Sequence, residues 1–405
     1  MRAIWTIKMA GVAYAAALLV ALEVPASGAK AADGQSIFRY DTFGDEQLWT
    51  DTLHMQQPIA TVSPRTALSV GLKVDADALP AGVVAALKAG QVNLDDPAVT
   101  VQLLKLNAVV GVKGTVDDAN HLQQVGVTCA LCHSSVDNSF APGIGRRVDG
   151  WANRDLNVGA IVALSPVLTA DQKAVFNSWG PGKYDARLHA FNGTTFIPLN
   201  SPTSPTVIPS IFGLQAPGGN SLWETFTADG RISYWNNYVA VSQMGGHGSF
   251  SDPRIGLSIT QTPDLVTPKL PALLDYQLSL RTPKPPVDSF DQTAAERGET
   301  LFKGIAGCAT CHKAPLYTDV LDGPDPNVPF LHIPASVGAD PVYAQRSATG
   351  AYRTTPLRAL WQHAPYFHDG SAADLLAVVN HYNTLFSLGL TDRQKADLVE
   401  FLKTL

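Results

Sequence analysis

Cys129-Ala130-Leu131-Cys132-His133 and Cys308-Ala309-Thr310-Cys311-His312 are the two stretches that decide how the rest of this 405-residue chain is read. Each offers a pair of thiols with an imidazole directly behind the second. That is the spacing needed for two thioether bonds to one haem, with the histidine reaching the iron from the same side. The chain has four cysteines, and these motifs use all of them. A four-sulfur zinc site is the competing use of two Cys-x-x-Cys pairs. It leaves both histidines unexplained and asks pairs about 180 residues apart to meet. A thioredoxin-like redox pair needs no histidine at that place either. The sequence therefore predicts two covalently bound haems c, with Cys129, Cys132, Cys308 and Cys311 as attachment points and His133 and His312 as iron ligands.

The compartment agrees with that chemistry. Residues 1–31 read as a secretory signal: Arg2 and Lys8 are positive, 9–22 is apolar, and Ala29-Lys30-Ala31 has the small-x-small form of a cleavage site. The mature chain is expected to start at Ala32 in the periplasm. The apolar run is shorter than the ~20 residues a membrane span needs, so no stable span is expected. Losing Arg2, Lys8, Lys30 and Glu23 takes the formal net charge from −6 to −8, which excludes a basic nucleic-acid surface. The remaining length exceeds the usual ceiling for one core and predicts two domains.

The expected architecture is mainly α, with two cytochrome c-like domains and long irregular loops around the two haems. Residues 32–116 form a leading segment packed on the first haem domain; 82–89 reads as a short helix there, and no chemistry is recognisable in it. The first haem domain spans 117–281. A short polar helix is expected from Asp117 into the first motif, followed by a loop over 143–155. The stretch 194–231, with Pro198, Pro202, Pro205, Pro209 and Gly218-Gly219, should be irregular. Pro271 opens a helix that runs to about Arg281. The linker, 282–291, begins with Thr282-Pro283-Lys284-Pro285-Pro286, where successive prolines exclude a helix. The second haem domain spans 292–405. It has a helix over 294–302 before the motif, a helix capped by Ser371 with Leu375, Val378, Val379 and Tyr382 on one face, and a last helix opened by a Thr391/Gln394 capping box, with Leu398, Val399, Leu402 and Leu405 inward.

The far side of each iron is the next question. Past the signal only Met55 and Met244 remain, so no methionine is local to the second haem. Its second ligand must come from Tyr382, His332, His363, His368 or His381; a core tyrosine is the plain reading of Tyr382. No histidine lies between His133 and His189, so the first iron either keeps an open position or is closed by His189, Met244 or His247 from farther along.

Over residues 117–405 the sequence resembles the bacterial di-haem cytochrome c peroxidase superfamily, including MauG-type enzymes. The resemblance is carried by both motifs, by Tyr352-Arg353-Thr354-Thr355-Pro356-Leu357-Arg358, by Ala364-Pro365-Tyr366-Phe367-His368-Asp369-Gly370, and by the order of the closing helices. It implies that His368 belongs to the cofactor site and that Tyr382, fourteen positions later, is the second ligand of the second haem, as in MauG-type enzymes. It also implies a tryptophan before Asp-Gly-Arg, whereas Ala228 stands before Asp229-Gly230-Arg231, with Trp223, Phe226 and Trp151 as substitutes. The family's acid–base glutamate has no counterpart, since no carboxylate occurs between Asp229 and Asp252. His247 is its replacement, serving the catalytic centre with Asp229 and Arg231. A calcium ion is implied at Asn200, with the carbonyls of His363 and Pro365.

The resemblance thus implies a peroxidase-like oxidoreductase. Hydrogen peroxide meets the first haem, and electrons arrive through the second from a small cytochrome c, a cupredoxin or an oxidisable protein; a homodimer is among the assemblies it allows. Two alternatives stay open. Rubber oxygenases share the two motifs, lack that glutamate and use dioxygen. A plain di-haem electron carrier has both irons fully ligated.

Overall fold

The computed structural model describes residues 26–198 and 202–405, so most of the expected signal segment and Asn200 lie outside the described residues. Helices dominate, and the strands are short and pair two by two. Among the described residues no helix is long and apolar enough to cross a membrane.

A large buried cluster runs from Phe38 to Tyr276. Its frame is the helix Ala26–Tyr40 lying along the helix Leu270–Ser279, with the rings of Phe38 and Tyr276 5.6 Å apart. Asp149 ties this pair to the first motif region, accepting from Arg39 Nε at 2.5 Å, Tyr276 Oη at 2.5 Å and Ser134 Oγ at 2.7 Å. The leading segment contributes Leu48, Trp49, Leu53 and Met55 to the same cluster, and its expected helix is observed as Ala81–Lys88.

The polar helix expected from Asp117 is not there. Val112–Val116 and Leu122–Val127 form an antiparallel hairpin with Val112 opposite Val127. Asp117 and Asn120 make its turn: the Asp117 carboxylate accepts from His121 N at 2.7 Å, and Asn120 takes a left-handed φ of 64°. Leu122, Val125 and Val127 are buried, and buried Thr50 holds Val125 through both its N–H and its carbonyl.

The segment 143–155 is a loop with two short pairings, Val74–Asp75 beside Ile144–Gly145 and Ser134–Val136 beside Arg147–Asp149. Residues 282–286 have no regular structure, and Val287 nearby is 91% exposed.

A second, smaller cluster gathers Phe302, Leu360, Leu375, Val379, Leu398, Phe401 and Leu402. The helix Gln292–Lys303 crosses the last helix, Asp392–Thr404, where Gly298 faces the backbone of Asp397 so closely that a Cβ has no room. Arg297 forks onto Asp397 at 2.9 and 2.6 Å beside that crossing. The Thr391/Gln394 capping box is present. Ser371 is not the cap of the helix Leu375–Leu385; Asp374 is, its carboxylate accepting from Ala377 N at 2.8 Å, while Ala372 pairs with Tyr366. A carboxylate one residue before the helix reaches the free N–H groups better than a hydroxyl four residues away.

Charged side chains link the halves. Arg346 forks onto Asp185 at 3.1 and 2.8 Å, and Arg353 binds Glu224 at 3.1 Å and the carbonyls of Trp223 and Thr225.

Candidate haem sites

The two motifs fold alike. In each, the histidine N–H donates to the carbonyl of the first cysteine, at 3.2 Å for His133 and 2.9 Å for His312, so one helical turn brings thiols and imidazole together. The rings are then oriented by a second bond. His133 Nδ1 lies 3.0 Å from the Pro209 carbonyl, and His312 Nδ1 lies 2.8 Å from the Tyr317 carbonyl. A carbonyl only accepts, so the proton sits on Nδ1 and each Nε2 presents its lone pair. That is how a metal-bound imidazole is held. Burial keeps both rings neutral, with the His133 pKa brought down to about 4.

None of the four cysteines forms a disulfide. Burial pushes the thiols of Cys129 and Cys132 up to about 12 and that of Cys308 up to about 11. Among the described residues no metal-binding group unites the two cysteine pairs; Cys311 has only Asp319 and His332 near it. The four-sulfur zinc alternative has no geometry, whereas the residues present fit a haem at each motif.

Around the second motif the rival ligands separate. His332 Nε2 bonds to Asp319 Oδ2 at 3.0 Å and Thr354 Oγ1 at 3.0 Å. His381 Nε2 is held by the Val337 carbonyl at 3.2 Å. Tyr352 gives its proton to the Asp340 carbonyl at 2.6 Å, so His368 Nε2, 3.1 Å away, must be the donor to it. Three histidines thus have their Nε2 engaged. His363 Nε2 is buried without a partner, and the charges that act on this ring are Arg154 and Arg358. Tyr382 differs: burial, with Cys311 and Cys308 adding to it, raises its pKa to about 12, so the phenol lies within electrostatic reach of both thiols. Its ring stacks on Phe386 at 5.9 Å and meets Phe367 edge-on at 6.0 Å.

Around the first motif Met244 and Met55 are buried in the large cluster. His189 has its ring between Phe196 at 4.4 Å and Phe176 at 5.5 Å, and burial lowers its pKa from 6.5 to about 4. Below about pH 6.5 the unfolded chain takes a proton that the folded one refuses, so stability is lost as pH falls from there toward 4. In urea titrations across that window, His189→Phe is expected to lose less stability than the parent, by up to roughly 1.4 kcal/mol per pH unit. Parallel losses in the two proteins would contradict this assignment.

The three residues implied for catalysis each have partners of their own. Asp229 is buried against Arg187. Arg231 reaches the carbonyls of Ser221 and Pro326 and lies 4.9 Å over Trp223. His247 is half-buried, its Nδ1 2.7 Å from the Pro263 carbonyl. No hydrogen bond or ion pair joins the three. Asp252 is also committed, to Tyr234 and Arg254.

A polar group missed in the sequence lies in the first core. Tyr184 Oη donates to Gln243 Oε1 at 2.7 Å, and Gln243 Nε2 donates to the His189 carbonyl at 3.0 Å. Burial, with Tyr238 and Cys132 nearby, raises the Tyr184 pKa and keeps the phenol protonated. Gln243 ends a π-helical turn, Val239–Gln243, a form that often marks functional sites. Only the fold brings residues 184 and 243 together.

Helices, two thiol pairs and two carbonyl-oriented imidazoles give this chain two places whose residues fit a haem c. In sequence it is 33% identical to cytochrome-c peroxidase IdrP2 of Pseudomonas sp. (strain SCT), over 33% of this chain and 47% of that protein. It is 34% identical to methylamine utilization protein MauG of Methylorubrum extorquens, over 33% of this chain and 42% of that protein. The resemblance to the cytochrome c peroxidase and MauG group is therefore borne out in sequence. The chain spans less than half the length of these curated relatives. No family model matches it. A solved MauG-like protein associated with microbial copper homeostasis aligns at 21% identity and a TM-score of 0.34, covering 55% of this chain and 86% of that one, too loosely to carry an argument.

Proposed function

We propose that this chain is an exported, periplasmic di-haem oxidoreductase of the peroxidase type, reducing hydrogen peroxide at the His133 centre with electrons passed through the His312 centre. The observation that carries the reading is the pair of imidazoles whose Nδ1 protons are committed to carbonyls while Nε2 stays free. Tyr382 is the second ligand of the His312 centre in this reading, supported by its place among Cys308 and Cys311. The His133 centre is the reactive one, since Met244 is packed in the core and the His189 ring lies between two phenylalanines.

Peroxide reduction to water consumes two electrons and two protons. The bound haem iron supplies the centre at which the oxygen–oxygen bond is cleaved. The chain supplies protons and position: the Tyr184 phenol, held by Gln243, is a buried donor within electrostatic reach of Cys132, and His247 is a second acid–base group. Electrons come from a small cytochrome c, a cupredoxin or an oxidisable protein side chain, and the calcium at Asn200 stays part of the proposal.

One observation favours dioxygen as the oxidant instead. Asp229 and Asp252, the carboxylates bounding the stretch where the family's glutamate is missing, are both engaged by cations. Stopped-flow mixing of half-reduced holoprotein with peroxide separates the two. The peroxidase reading expects the second haem to be oxidised as peroxide disappears. A stable dioxygen complex with indifference to peroxide would select the oxygenase.

A further inference from the structure

A guanidinium buried in a protein is held by a carboxylate or by backbone oxygens, because a desolvated charge left alone is strongly unfavourable. The other buried arginines obey this. Arg346 has Asp185, Arg353 has Glu224, Arg187 has Asp229 and Arg147 has Asp75. Arg154 has none of these. The residue is half-buried, and its Nε and Nη1 are buried with no hydrogen-bond partner; atoms of Arg187 and Arg147 share that lack, but unlike those two Arg154 forms no ion pair among the described residues. Burial brings its pKa down only to about 10, so it keeps its charge at neutral pH.

The surroundings of Arg154 are rich in donors and poor in acceptors. The preceding residues are fastened to the first motif: Gly150 N donates to the His133 carbonyl at 2.8 Å and Asn153 N to the Cys132 carbonyl at 2.9 Å. Trp151 meets Trp361 edge-on at 5.7 Å, which brings the 360–363 turn of the second core alongside. The Trp361 indole N–H and His363 Nε2 are buried there, also without partners. Arg154 and Arg358 both act on His363, and Arg358 is itself already shared with Glu224 and the Gly213 carbonyl. What this place lacks is oxygen atoms bearing negative charge.

We propose that Arg154 is the anchor for a haem propionate at the junction between the two motif-bearing halves. The inference rests on both motifs carrying haem. Each covalently attached haem brings carboxylates that must be placed somewhere, and Arg154 is a largely enclosed cation that has no carboxylate of its own among the described residues. A positive charge beside a haem disfavours its ferric form and holds the propionate ionised. Arg154 is thus a positioning residue that also sets the potential of the haem whose propionate it binds.

The test is a potentiometric titration of holoprotein, following both haems optically over a range of pH. Arg154→Gln is expected to lower the midpoint potential of one haem, leave the other in place, and make the lowered one more pH-dependent as its propionate begins to titrate. The haem that moves identifies the source of the carboxylate. Arg154→Lys, which keeps the charge and changes the bonding, guards against a glutamine variant that does not fold. Redox-difference infrared spectra of Arg154→Lys should show displaced propionate bands. Unchanged potentials in Arg154→Gln would overturn the proposal, as would unmoved propionate bands in Arg154→Lys, or parent potentials that follow added chloride or phosphate as for a free anion. None of these readouts needs turnover, so failure of the peroxidase reading is seen separately, and absence of haem in the parent is seen before either.

Discussion

Replacing Cys129 and Cys132 together with alanine is expected to give a protein that carries one haem, at Cys308 and Cys311, and that consumes peroxide no faster than buffer. Mass spectrometry of the intact chain checks the first part, since thioether-bound haem survives denaturation, and a peroxide assay checks the second. The loss should be complete because the thiols are the attachment points and the reactive centre goes with them. The first core packs against the motif, so this variant also risks misfolding. His133→Gly separates the effects: both cysteines remain, the mass should still include two haems, and the spectrum of the first should change. A cysteine-free first motif that still yields two haems would contradict the assignment.

The second large effect is expected at Tyr382. Tyr382→Phe removes the oxygen and keeps the ring, so its stacking on Phe386 and its edge contact with Phe367 persist. The phenol has no hydrogen-bond partner among the described residues, so the folding cost should stay below about 1 kcal/mol. The iron of the second centre should nevertheless lose its sixth ligand, and the EPR spectrum of the oxidised protein should gain a high-spin component from that haem. An EPR spectrum that does not change would move the ligand elsewhere, and His363, whose Nε2 is free, would be the next residue to replace.

What could be read from the sequence was local. The Cys-x-x-Cys-His turns, the Thr391/Gln394 capping box, the helix opened by Pro271 and the proline-stiffened linker each depend on a few neighbouring residues. The errors were also local signals, overruled by distant partners. Asp117 sits in the turn of a hairpin because Thr50 and Asp45 bind the strand that follows, and Asp45 accepts from Val127 N at 3.1 Å. Ser371 has the composition of a cap, but Asp374 has the position. Tyr184 with Gln243, and the want of a partner at Arg154, could not be seen at all, because both are relations between segments far apart in the chain. In the Asp229-Gly230-Arg231 stretch the pattern was visible in the sequence, whereas the partners of its charged members, Arg187 and backbone carbonyls, are set by the fold.

EPR of the oxidised holoprotein, before and after one equivalent of peroxide, addresses the central claim most directly. Two ferric signals are expected, one low-spin from the His312–Tyr382 centre and one high-spin from an accessible His133 centre, with the high-spin signal lost on adding peroxide. Two low-spin signals indifferent to peroxide would mean that both irons are closed, and would reduce the protein to an electron carrier.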